Sequence, residues 1–81
     1  MYTNTLHNLA ILAEDEKDYP RADSLLNKVI EIRATLFDEN HPSYTAALYS
    51  RAVLRQQINQ FELAKQDFDK VADLYLNQII K

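Results

Sequence analysis

Apolar residues recur at helical spacing in four separate runs along this chain. Within each run they fall at i, i+3, i+4 and i+7, which places them on one face of a helix. No run approaches the roughly 20 apolar residues that a membrane span requires. The pattern predicts four amphipathic helices, over 2–15, 20–37, 43–57 and 61–80.

Turn-forming residues separate the four runs. Pro20 and Pro42 fit the first turns of the second and third helices, where a missing N–H leaves no hydrogen bond unmade. Asp18 is a candidate N-cap for the second helix. The chain contains no glycine, so Asn40 and Asn59 are expected to take the left-handed conformation at the turns. Breaks this short predict antiparallel neighbouring helices.

The second half of the chain repeats the first at an offset of 42 residues. The matches fall at small or apolar positions, which is where packing constrains a sequence. Identical pairs include Leu6 with Leu48, Ala10 with Ala52, Leu12 with Leu54, Ala22 with Ala64 and Val29 with Val71. We therefore predict one domain over 1–81 built from two copies of a helix–turn–helix unit, at about 2–38 and 43–80.

Alanines mark the expected contact points between paired helices. Alanine at a crossing removes the bulk that would hold two helix axes apart, and each copy carries two such residues. The rings of Tyr19 and Phe61 are expected to fill the space beside these crossings.

The composition limits the classes of function. The chain has 9 basic and 12 acidic residues and no cysteine, which excludes disulfides and a zinc site built on thiolates. A net charge of −3 argues against a nucleic-acid-binding protein, because such proteins carry a basic stripe. The charge divides as −4 over residues 1–40 and +1 over 41–81. A cytoplasmic protein with no nucleic-acid or membrane partner is expected.

Few side chains could support catalysis. His7 has alanine and isoleucine at i+3 and i+4, so no metal-ligand pair forms there. It is either a surface histidine without a special role or a hydrogen-bonding contact to a bound peptide. His41 precedes a proline and is expected to cap a helix end. The acidic run 14–18 lacks the alternating ligands of a calcium loop. We predict no enzyme activity, no cofactor and no metal.

The repeated unit resembles the tetratricopeptide repeat (TPR). The residues that carry the resemblance are Leu6, Leu9, Ala10, Tyr19, Ala22, Leu26 and Val29 in copy one, and Leu48, Ala52, Phe61, Ala64, Phe68 and Val71 in copy two. The 42-residue period and the Asn-His-Pro turn are similar to the long variant of kinesin light chains and of many bacterial proteins. The resemblance implies an all-α fold, a short right-handed α-solenoid of two tandem units with four antiparallel helices.

In this family the first helix of each pair lines a concave groove that binds peptides. The resemblance therefore implies a groove lined by Asn4, His7, Asn8, Ile11, Asp15, Ala46, Tyr49, Ser50, Val53 and Gln57. Asn8 stands where related repeats hold a peptide-clamping asparagine, whereas Asn4 replaces the lysine of the carboxylate clamp. Binding of acidic C-terminal tails is therefore not predicted. The resulting hypothesis is a non-catalytic scaffold that binds a peptide or an adjacent domain.

Two arginines stand in the third helix where the family often has leucine and an aromatic residue. Arg51 and Arg55 lie one turn apart. They are either solvated or paired with an acidic residue, for which Asp67 and Glu62 are candidates, or they form a basic patch for an acidic partner.

Other interpretations concern assembly. Two repeats are fewer than a stable stack usually needs, so the chain is expected to be a fragment of a longer array. In isolation it is expected to form a stacked or helix-exchanged dimer. The segment 67–81 also resembles the last repeat before a caspase-like domain in bacterial TPR-CHAT proteins. The alternative function is therefore a structural or regulatory arm of a larger protein that carries such an effector domain.

Overall fold

A computed structural model describes residues 2–37 and 41–80, with side chains over 3–37 and 41–77. It contains four α-helices and, within the described residues, no strand. They are α1 (Tyr2–Asp15), α2 (Tyr19–Leu36), α3 (Pro42–Gln57) and α4 (Phe61–Ile80). The predicted ends agree with these bounds to within one residue. The prediction for Asn40 lies outside the described residues.

The two turns inside the helix pairs have the same backbone geometry. Lys17 (φ 61°) and Asn59 (φ 66°) take the left-handed conformation, and they lie 42 residues apart. Each is followed by an N–H that donates five residues back, from Asp18 to Ala13 at 2.8 Å and from Gln60 to Arg55 at 2.8 Å. Asn59 was predicted and is confirmed. Lys17 was not predicted to adopt positive φ, which a lysine takes only at some cost.

Two different N-caps begin α2 and α3. Asp18 occupies the N-cap position of α2, as predicted, although its side chain makes no capping hydrogen bond. His41 caps α3, as predicted: its Nδ1 accepts from the backbone N–H of Ser43 at 3.1 Å. Its ring also stacks on Phe37 with the centroids 4.3 Å apart.

The four alanines expected at the helix crossings are buried in the packed pairs. α1 packs on α2, α3 packs on α4, and α2 joins the two pairs by packing on α3. Ala10, Ala22, Ala52 and Ala64 are all buried. The Cα atoms occupy a slab of 39 × 30 × 16 Å. None of the described helices is long and apolar enough to span a membrane.

One apolar cluster draws on all four helices and a second draws on three. The first consists of Leu6, Val29, Ile30, Tyr44, Ala47, Leu48, Val71 and Leu74. The second consists of Ala10, Ala13, Ala22, Leu26 and Leu54, with the half-buried Tyr19 against it. Leu54 belongs to α3, so copy two completes the packing around Tyr19.

The prediction that Phe61 fills the core was wrong. Its ring is 60% exposed, although it stands at the same repeat position as the half-buried Tyr19. In copy one, Ala13 of the same pair and Leu54 of α3 lie in the cluster against which Tyr19 packs. In copy two Arg55 replaces that alanine. The ring of Phe61 therefore has no equivalent apolar surface to pack against.

Equivalent positions of the two copies differ in burial at the ends of the stack. Leu12 on α1 is 53% exposed, whereas Leu54 on α3 is fully buried. Conversely, Arg33 on α2 is buried, whereas Tyr75 at the same position of α4 is 55% exposed. We call the exposed side of α1 (Leu9, Leu12) the leading face and the exposed side of α4 (Ala72, Tyr75) the trailing face.

Leucine truncation at these two equivalent positions should have unequal effects. Leu54→Ala leaves a cavity in the core and is expected to lower the free energy of unfolding by about 2–5 kcal/mol. Leu12→Ala removes a half-exposed side chain and should cost less than about 1 kcal/mol. Urea unfolding at low protein concentration measures both. Equal losses would contradict the packing of α3 between α2 and α4.

Candidate peptide-binding groove

A shallow cavity lies between α1 and α3, with a volume of about 220 Å³. Its lining residues are Ile11, Glu14 and Asp15 from α1 and Tyr49, Ser50 and Val53 from α3. Five of these belong to the ten residues predicted for the groove. Glu14 was not predicted, although it stands one turn after Ile11 and so shares its helix face.

The cavity combines an apolar surface with an aromatic ring. Ile11 and Val53 face it from the two helices, and Tyr49 stands beside Val53 on α3. The Tyr49 ring makes an edge contact with Phe68 of α4, with centroids 5.8 Å apart and planes at 69°. An edge-on aromatic pair restricts both rings. Tyr49 is thus half exposed, and its ring packs against Phe68.

His7 connects the two helices of the groove. Its Nε2 lies 2.9 Å from the Oγ of Ser50, a hydrogen bond between α1 and α3. Burial, and then the positive charge of Arg33, lower the pKa of the His7 imidazole. The neutral ring is therefore favoured. The sequence left open whether His7 is a surface residue without a special role or a contact to a bound peptide. The structure instead joins His7 to Ser50, another residue predicted to line the groove.

Arg33 is a buried cation that the sequence analysis did not single out. Its Nη1 donates to the carbonyl of Ser43 at 2.8 Å, and its Nη2 donates to Oδ1 of Asn4 at 3.1 Å. Burial lowers the pKa of this guanidinium. Asn4, predicted to face the groove, thus joins α1 to α2, while the bond to Ser43 joins α2 to the start of α3. The sequence contains one indication that Arg33 is buried: it stands one turn after the core residue Val29 and so shares its helix face.

The other three predicted groove residues lie outside the cavity. Asn8, Ala46 and Gln57 are exposed and do not belong to its lining. A larger depression, about 360 Å³, runs beside α2 and is lined by Ser24, Asn27, Lys28, Glu31 and Ile32. All of these come from one helix, so the α1–α3 cavity remains the better candidate site.

The two arginines of α3 form an ion-pair network with Asp67. Arg51 donates through Nε and Nη2 to the two carboxylate oxygens, both at 2.9 Å, and Arg55 adds a third contact at 2.9 Å. Arg51 also reaches Oδ1 of Asn27 on α2 at 3.0 Å. The hydrogen bonds to Asp67 raise the pKa of Arg51. The prediction that these arginines pair with Asp67 is confirmed, and their charge is used inside the structure.

The described side chains include no group of three or more His, Cys, Asp or Glu residues placed to hold a metal ion. The groove offers hydrogen-bonding, apolar and acidic surfaces, which suit recognition. The fold and this groove together define a helical repeat protein.

The comparisons with known proteins agree with this architecture. Residues 2–77 match the tetratricopeptide repeat family, and the chain belongs to that family. No curated protein matches it. A solved structure of a candidate kinesin light chain from Podosopora anserina, with nearly identical TPR-like repeats, shares 24% identity and a TM-score of 0.84. The alignment covers 94% of this chain and 36% of that one, and it shows the fold.

Removal of the buried carboxylate should strongly destabilise the second pair. Asp67→Asn leaves Arg51 and Arg55 facing each other without their anion, so we expect a loss of about 3 kcal/mol in the free energy of unfolding. The matched control is Asp69→Asn, because Asp69 forms only an exposed contact with Lys65 at 3.5 Å and should contribute less than about 0.5 kcal/mol. Urea unfolding compares the two, and equal losses would contradict a structural role for Asp67.

Proposed function

We propose that this chain is a non-catalytic interaction module that binds a peptide or an adjacent domain in the α1–α3 groove. The observation that carries the proposal is Tyr49, half exposed, braced by Phe68 and flanked by the cavity surfaces of Ile11 and Val53. Pre-positioned aromatic residues are typical energetic centres of interfaces. The proposal includes a cytoplasmic setting, in keeping with a chain that contains no cysteine.

The size of the cavity favours part of a protein over a small molecule. Small-molecule sites usually enclose about 300–1,000 Å³. The present cavity has about 220 Å³ and is open, so it suits a single side chain of a partner. Both repeats contribute to it, since its lining comes from α1 and α3. The binding unit therefore comprises both copies, at about 2–38 and 43–80.

Truncation of Tyr49 tests the groove. Peptides selected from a random display library on the wild-type chain should lose about 2 kcal/mol of binding free energy, roughly thirtyfold in Kd, with Tyr49→Ala. Tyr75→Ala is the matched control, because Tyr49 and Tyr75 are 53% and 55% exposed and Tyr75 lies on the trailing face. It should change Kd less than about twofold. Fluorescence anisotropy measures both variants.

The opposite outcome favours the alternative function. If no selected peptide depends on Tyr49, the groove is not a binding site. The structural or regulatory arm of a larger protein with a caspase-like effector domain then becomes the better hypothesis.

We also propose that the isolated chain self-associates head to tail. The supporting observation is that Leu12 and Tyr75 are exposed at repeat positions whose equivalents, Leu54 and Arg33, are buried between α2 and α3. A second copy that placed its leading face on the trailing face would reproduce that internal contact. The opposite charges of the two halves favour the same orientation.

Sedimentation velocity tests this assembly. The wild-type chain should sediment as a dimer or larger species at high concentration, and Leu12→Glu should shift it to a monomer. Leu36→Glu introduces the same charge at an exposed leucine outside both faces, so it should leave the association unchanged. A folded wild-type monomer at every concentration would overturn the proposal.

A further inference from the structure

We infer that the α1–α3 cavity takes a lysine or arginine side chain from the bound partner. The inference rests on the proposed function, because it names the chemistry that the same groove would recognise. It is argued from the carboxylates that line the cavity, from the apolar and aromatic surfaces beside them, and from a comparison of the two repeats.

Two carboxylates, those of Glu14 and Asp15, line the cavity. None of the ion pairs among the described residues includes Glu14 or Asp15. The negative end of the α1 helix dipole adds to their charge. No basic residue in the last turn of α1 offsets it. Burial, and then the charge of Asp15, raise the pKa of the Glu14 carboxyl. A cation in the cavity would stabilise both charged groups.

The remaining surfaces suit the other parts of a basic side chain. Lysine and arginine carry an aliphatic stem that packs on apolar surface while the charged end stays near water or a carboxylate. Ile11 and Val53 provide such a surface for the stem. Tyr49 adds an aromatic ring, to which a cation is attracted. One basic side chain could therefore contact the apolar, aromatic and acidic surfaces of this small cavity at the same time.

The acidic pair is specific to copy one. Glu14 and Asp15 correspond to Gln56 and Gln57 in copy two, which are the uncharged amides at the same repeat positions. The charge is thus not needed to end a helix in this fold, since α3 ends with glutamines and an equivalent turn. The overall charge of −3 also favours the approach of a basic partner.

The test uses a random peptide display library selected on the wild-type chain. Peptides whose binding depends on Tyr49 should share a lysine or arginine at one position. The double variant Glu14→Gln/Asp15→Asn should weaken the best of them by about tenfold, as should replacement of its arginine by the uncharged isostere citrulline. The wild-type affinity should also fall as salt is added.

A nearby carboxylate provides the control. Glu16→Gln removes one charge from the same acidic run, but Glu16 does not line the cavity, so it should change Kd less than about twofold. Circular dichroism and urea unfolding verify that each variant remains folded.

The outcomes separate this inference from the proposed function. Peptides that depend on Tyr49 but contain no shared basic residue, or that bind the double variant equally well, would overturn the inference and leave the groove intact. Glu16→Gln weakening as strong as that of the double variant would also overturn it, since long-range charge would explain the effect. Failure to select any peptide that depends on Tyr49 would overturn both proposals.

Discussion

The packing of paired helices around four buried alanines is the constraint on which the rest of the structure depends. Because Ala10 and Ala22 hold no bulk between α1 and α2, the larger side chains around them can meet and exclude water. Ala52 and Ala64 are likewise buried in the second pair. The two pairs are joined where α2 packs on α3, and this contact sets the positions of α1 and α3 and so defines the groove. A bulky residue at any of these crossings would separate the helices and distort the groove indirectly.

Helical periodicity and turn chemistry account for most of what could be predicted from the sequence. Regular apolar spacing located the four helices, and the absence of glycine left Asn59 as the residue able to adopt positive φ. The burial of Phe61 could not be predicted in this way, because its exposure depends on which apolar residues of other helices pack beside it. The ion pairs of Asp67 were predictable as one of two alternatives, since helical spacing limits the reach of each arginine.

The candidate site was predictable in outline and not in detail. The family resemblance selected the two helices that line the cavity, and five of the ten expected residues belong to its lining. Asn4, His7 and Ser50 illustrate the limit. Their polar groups suit a ligand equally well, but in the folded chain Asn4 accepts from Arg33, and His7 bonds to Ser50. Such pairings join residues far apart in sequence, and no local pattern records them.

Differences between equivalent repeat positions are more informative about this protein than the similarities. The shared alanines and leucines maintain a fold that many proteins adopt, and they say little about a particular partner. By contrast, Glu14 and Gln56 occupy equivalent helix positions with different charge, and only Glu14 lies at the cavity. The part-buried hydrogen bonds His7–Ser50 and Arg33–Asn4 use polar groups that the groove could otherwise offer, and they join α1 to α3 and α1 to α2. A partner bound in the proposed groove would therefore meet what remains at the cavity, namely an aromatic ring, two aliphatic side chains and two adjacent carboxylates.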